Sequence, residues 1–130
     1  MAEPDGMTTV TSRFDALETA HRLKTALDAR GLTLFAEIDH AAGAVAAGLE
    51  LRPTLVLVFG NAKGGTPLMQ ADQRVGIDLP LKALIWEDPD TKTWIAYNDP
   101  LYVVRRHAVA TELSANLAAV VPLLQRAAQA

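Results

Sequence analysis

Residues Thr54 to Phe59, TLVLVF, form a nearly unbroken apolar run with Pro53 before it and Gly60 after it. A run this short, rich in Val and Leu and bounded by breakers, has the length of a strand, and its lack of alternation predicts a central strand covered on both faces. That requirement constrains everything else, because a covered strand needs neighbours at both edges and helices to shield it. The chain supplies them. Asp15 with Glu18 three positions on is a capping box, Gly31 ends the segment, and Ala16, Ala20, Leu23 and Leu27 between them make one apolar helical face. Met7 to Ser12 and Leu32 to Ile38 flank it as strands, the second with Leu32, Leu34, Ala36 and Ile38 alternating onto one face.

Further along, Ala41 to Ala47 predicts a short alanine-rich helix ending near Gly48. Gly60 to Thr66 reads as a glycine loop, with Thr66 and Pro67 as the cap and first residue of a helix that reaches Gly76. Lys82 to Glu87 and Thr93 to Tyr97 flank Asp88-Pro89-Asp90-Thr91-Lys92, which predicts a hairpin. Asp99-Pro100 opens another helix, and a last long helix from about Thr111 carries Leu113, Leu117, Val120, Val121 and Leu124 on one stripe, bent at Pro122. The expected fold is α+β: residues 7–130 as a two-layer single domain whose mixed five-stranded sheet is covered by helices, after a disordered tail at 1–6. The helical connections suggest some parallel pairing beside the antiparallel hairpin.

At 130 residues the chain should bury about two-thirds of its unfolded surface, enough for one core. A net charge of −3 disfavours contact with a phosphate backbone, so no nucleic-acid partner is expected. No apolar run approaches the roughly 20 residues that span a bilayer, and MAEPDG lacks the features of a secretory signal. There is no cysteine, which excludes disulfides, thiolate ligands and a cysteine nucleophile and suits a reducing compartment. The expected location is cytoplasmic, without a membrane partner.

The blocks FAEIDHAAGA (Phe35 to Ala44), GNAKGGTPLM, GIDLPLK, WED, YNDP and RH occur in order. In this order and spacing they resemble the bacterial and archaeal family called domain of unknown function 302, from the first helix to His107. The resemblance implies a compact single α and β domain with no agreed activity. Ala62 departs from it, since a proline is common after the Asn.

The residues themselves offer several constellations. Strand, glycine loop and helix invite a P-loop reading, but Thr66, not Lys, follows Gly65, so the motif fails. What survives is a loop whose amides, with Lys63, could hold a small anion, weighed against a plain tight turn. His40 and His107 fall where strand ends carry functional side chains. With Asp39, Asp78, Glu87, Asp88 or Asp99 they would make a divalent-metal or acid-base site only if distant segments converged, so no metal is assigned. His21 reads as a surface residue. Asp78, Asp88 and Asp99 each have a turn or cap role open to them. Ser12 and Ser114 lack a nucleophile context. Trp86, Trp94, Tyr97 and Tyr102 are packing residues first, with a pocket floor as the second reading.

The leading expectation is a small-ligand binding domain, with anions among the ligands it could take, and with His40, Asn61, Lys63, Thr66, Asp99 and His107 at the rim of the sheet and the cofactor unknown. The alternatives are a metal-assisted or acid-base hydrolase or isomerase using His40 and His107, and a homo-oligomer, a dimer in its simplest form, that covers an apolar sheet face with a second copy.

Overall fold

In the computed structural model, which describes residues 3–129, the chain runs β1 (Met7–Ser12), α1 (Ala16–Ala29), β2 (Thr33–Asp39), α2 (His40–Ala46), β3 (Thr54–Gly60), α3 (Ala62–Ala71) and a 3-10 turn (Gln73–Asp78). It continues with β4 (Leu81–Glu87), β5 (Thr93–Asn98), α4 (Pro100–Arg106), a 3-10 turn (Thr111–Ser114), α5 (Ala115–Ala118) and α6 (Val121–Gln129). The five strands form one sheet in the order β1-β5-β4-β3-β2, an α+β fold in a single domain.

All four pairings are antiparallel, so the expected parallel component is absent from the described sheet. The reason lies in where the helical connections return. Segment α2 turns the chain back at the end it leaves, pairing Asp39 with Leu55, and α3 does the same at the other end, pairing Phe59 with Leu81. Only α1 crosses from one end to the other, and it joins the two edge strands β1 and β2, which do not touch.

Directly paired residues share a sheet face. Val10, Leu55, Leu57, Phe59, Ala83, Ile85, Ile95 and Tyr97 therefore lie on one side, where they pack with Ala20, Leu23 and Leu27 of α1 and Leu123, Leu124 and Ala128 of α6. Asp15 Oδ1 caps α1 by accepting from the Glu18 amide, as the capping box predicts. Ile38, Val56, Leu84, Trp86 and Trp94 face the other way and belong to neither core cluster. This corrects the reading of β3 as covered on both faces: Leu57 and Phe59 are fully buried, whereas Val56 and Val58 are only partly so. A second cluster of Leu68, Val75, Val103, Val104 and Leu117 closes the Gly60 end of the sheet with α3, α4 and α5.

Three local readings change. The predicted long C-terminal helix is a 3-10 turn and two separate helices, with Pro122 in the first turn of α6, where its missing N–H goes unused. Residues 60–66 are not a loop, because Asn61 caps α3 five residues before Thr66 would, and Pro67 sits inside the helix at the cost of one backbone bond. Of the expected tail, Met1 and Ala2 lie outside the described residues. Residues 3–6 are tied in by bonds from the Met7 amide to the Pro4 carbonyl and from the Asp99 amide to the Gly6 carbonyl. Gly6 has φ +76° and its Cβ position lies against the Tyr102 ring, so no side chain fits there.

The hairpin depends on Asp88, whose Oδ1 accepts from the Asp90 and Lys92 amides while Oδ2 accepts from Trp94 Nε1 at 2.9 Å. Trp94 stacks on Trp86 across the two arms, centroids 6.2 Å apart. The Trp94 bond, followed by the two amides, holds the Asp88 carboxyl below its ordinary value of 3.8. A depressed folded-state pKa stabilises the fold above that value and ceases to do so as pH falls through the lowered one. Asp88→Ala should therefore lower the melting temperature at neutral pH, and the gap from wild type should close in a pH series run below 3.8. Leu23→Ala, in the fully buried α1 stripe, should cost about 2–5 kcal/mol in denaturant unfolding.

Candidate functional site

At the Gly60 end, the passage from β3 into α3 leaves a cavity of about 320 Å³. Its walls are apolar: Leu32 and Phe35 from the β2 side, Met69 of α3, Leu79 and Leu81 before and in β4, and Leu117 and Val120 from the C-terminal helices. Asn61, Thr66 and Asn116 are the polar side chains on its lining. Asn61 Oδ1 accepts from the Gly64 amide at 2.6 Å to cap α3, which leaves its Nδ2 amide as a donor. Asn116 Nδ2 donates to the Gly64 carbonyl at 3.3 Å, which leaves Oδ1 as an acceptor. Gly64 permits this closeness, since a Cβ there would sit 3.0 Å from the Asn116 carbonyl oxygen.

The expected site residues divide among several places. Asn61 and Thr66 line the cavity. Lys63 lies exposed on the first turn of α3 and is not among the lining residues. Gly64 and Gly65 are helical and not at positive φ, so no cradle of loop amides surrounds them. His40 starts α2 at the opposite end of the sheet, next to Asp39, which caps that helix through the Ala42 amide. The length of β3, about 20 Å, separates it from Asn61.

Asp99 precedes α4 without a side-chain capping bond and instead accepts from Thr8 Oγ1 across the β1 edge. Burial, and after it the charge of Asp99, pushes the neighbouring Tyr97 hydroxyl above its usual range.

His107 ends α4, and its Nε2 lies 2.6 Å from Asp78 Oδ2, while Arg106 Nη1 donates to both Asp78 oxygens at 2.9 Å. The His107 side chain is only 9% exposed, so the ring is fixed by this carboxylate. Arg106 and His107 share an open hollow with Gln73 and Arg74. Arg74 is in turn paired with Asp72, and that bond, with the Arg74 amide after it, takes the Asp72 carboxyl down to about 2. Both arginines are thus neutralised by their own carboxylates.

Asp78 precedes Leu81, whose row on β3 is four residues, about 13 Å, from the row of Asp39. The two histidines that a shared catalytic or metal site requires are therefore held apart. Among the described residues no group of three His, Asp or Glu side chains is placed to hold a metal ion.

The sequence model of the family described as Domain of unknown function DUF302 matches residues 8–130. The chain belongs to the DUF302 family. Its fold is also that of the uncharacterized conserved protein DUF302 from Bacillus stearothermophilus, whose crystal structure superposes with a TM-score of 0.79 over 96% of this chain and 97% of that one at 20% identity. Over 104 residues, 80% of its length, this DUF302 chain is 43% identical to proteins called fluoride-specific ion channel FluC 1 in Brucella suis and Brucella abortus. It spans 41% and 38% of those relatives, about two-fifths of their length. No described helix of this chain is long and apolar enough to cross a membrane.

Of the cavity wall, Asn61 and Thr66 were readable in the sequence. Phe35 stood in a family-like block without a reason to single it out, and Asn116 gave no signal, because its role exists only where α5 meets α3. Asn61→Ala should cost about 1 kcal/mol of stability as a lost cap. Asn61→Asp, which keeps the capping oxygen, should retain that stability in thermal unfolding, separating the cap from any use of the Nδ2 donor.

Proposed function

We propose that this DUF302 domain binds a small, mostly apolar molecule that carries a neutral hydrogen-bonding group, held in the cavity between β3, α3 and α5. The observation that carries this reading is the lining itself: an apolar recess within the usual size range of ligand sites, with a donor at Asn61, a hydroxyl at Thr66 and an acceptor at Asn116. An anionic ligand fits less well, because no lining side chain is cationic and the helical glycines offer no cluster of free amides. In this reading Lys63, His40, Asp99 and His107 lie outside the contact set. The Asp78–His107 pair has the orientation of a base and its orienting carboxylate, but with His40 at the other end of the sheet we assign it a structural role rather than a hydrolase or isomerase reaction. We place the domain in the cytoplasm, consistent with a chain that uses no cysteine.

The likeness to part of the FluC proteins favours one second reading, an accessory domain that serves such a channel rather than forming its passage. The absence of a spanning helix among the described residues agrees with that division of labour.

Thermal shift with benzamide, whose ring and amide match the two halves of the lining, should raise the melting temperature of wild type. The gain should disappear in Phe35→Ala and in Gly65→Val, whose added carbons enter the space beside Leu79 and Met69. Fluoride and inorganic phosphate should have no specific effect. Stabilisation by either anion, or an unchanged benzamide response in both variants, would displace the cavity as the binding site.

A further inference from the structure

Ten large apolar side chains are exposed on the described surface, and six of them, Leu34, Phe35, Ile38, Val45, Leu49 and Leu51, come from the single stretch of β2, α2 and the following turn. They are between 38% and 70% exposed. This is where the fold does least to cover its own chain: β2 is an edge strand with one partly shielded residue in seven, and α2 has no buried residue at all. The other edge differs. Strand β1 is MTTVTS, threonine-rich, and is backed by α6 through the Arg13 amide bonded to the Ala128 carbonyl. Polar residues, a bulge and a covering segment are the usual protections of a sheet edge; β2 has Thr33, Glu37, Asp39 and a register shift at Phe35, but six of its seven residues stay exposed.

We propose that the β2–α2 edge is the docking surface for a second copy of this chain, packed about a two-fold axis. Three observations choose that occupant. An interface that meets itself must be self-complementary, and His40 to Leu49 contains no Lys, Arg, Asp or Glu that would face its own like. Within β2, Glu37 is already paired with Lys24 at 3.0 Å and Asp39 is committed to its capping bond, while Glu50 and Arg52 flank Leu51 with opposite charges suited to a reciprocal polar rim. The exposed fractions of the six residues amount to roughly 600 Å² per copy; because Leu34 pairs with Phe59 and Ile38 with Val56, on opposite faces of β2, the second copy must wrap around the edge to bury them all and reach the roughly 1,200 Å² of a specific interface.

The contact is carried by side chains more than by a continued backbone ladder. The register shift between Leu34 and Ala36 interrupts β2 at Phe35, and a bulge of this kind turns an edge away from strand addition. The alanines and Gly43 of α2 let the partner's apolar side chains approach closely. Ile38 joins this edge to Val56 and Leu84 on the open sheet face, so the covering copy also shields part of that face.

Sedimentation velocity across a concentration series up to about 100 µM, a range that captures micromolar association, tests this on the full chain. Wild type should sediment at twice the monomer mass. Val45→Asp and Leu49→Asp, both at exposed positions that leave the core intact, should each weaken self-association at least about tenfold while circular dichroism stays unchanged. Leu17→Asp, 80% exposed on α1 and away from this edge, should behave as wild type. A wild type that is monomeric throughout, or a dimer that persists in both α2-side variants, overturns the proposal, and so does a dimer broken by Leu17→Asp alone. Val45 and Leu49 are not on the cavity wall, and Phe35, which belongs to both surfaces, is left unchanged in these variants, so the result stands or falls separately from ligand binding.

Discussion

Burial of one face of β3 holds the molecule together. Leu57 and Phe59 are fully excluded from water between α1, α6 and the neighbouring strands, each contributing about 1.5–3 kcal/mol, and Leu23 and Leu27 of α1 are buried in the same cluster. The antiparallel register follows from it. A slip of one residue would exchange Leu57 and Phe59 for Val56 and Val58 against the helices and leave the larger side chains in water. The cavity follows too, because it lies where β3 ends at Gly60 and the chain must turn away before the helical layer is complete.

The two ends of the sheet are built differently. At the hairpin end, Asp88 accepts three hydrogen bonds that close a tight turn, and Trp94 stacks on Trp86 beside it. At the Gly60 end, three helices and a 3-10 turn converge from different parts of the chain, and their second apolar cluster does not fill the volume between them and the sheet. Unfilled apolar space costs packing energy. The unfilled space lies beside the side chains of Asn61, Thr66 and Asn116, and the proposed ligand site rests on that juxtaposition.

Much of the fold was legible in the residues. The capping box of α1 and the Asp88 hairpin rest on side chains that satisfy backbone groups within a few positions of themselves, the Pro100 helix on proline's fixed φ, and the strand at 54–59 on a short apolar run between breakers. Asn61 shows the limit of such reasoning. Both Asn61 and Thr66 are good cap residues, Pro67 favours the second, and the structure uses the first because α3 must begin earlier to bring Gly64 against Asn116. That preference belongs to packing between segments some fifty residues apart, and nothing local reports it.

By itself the sequence determined where the five strands and the first helices lie, though not the start of α3 or the break in the C-terminal helix, that they make one α+β domain of the DUF302 family, and that cysteine and spanning-helix chemistry play no part in the described chain. Tertiary structure alone decided that the sheet is antiparallel throughout, that one of its faces lacks helices, and that His40 stands at the opposite end from Asn61 and His107. The physical reason is the range of the forces involved. Caps and turns act over a few residues, whereas register, layer and convergence are set by burial of apolar area among segments far apart in the chain, and many arrangements share the same local signals until that burial selects one.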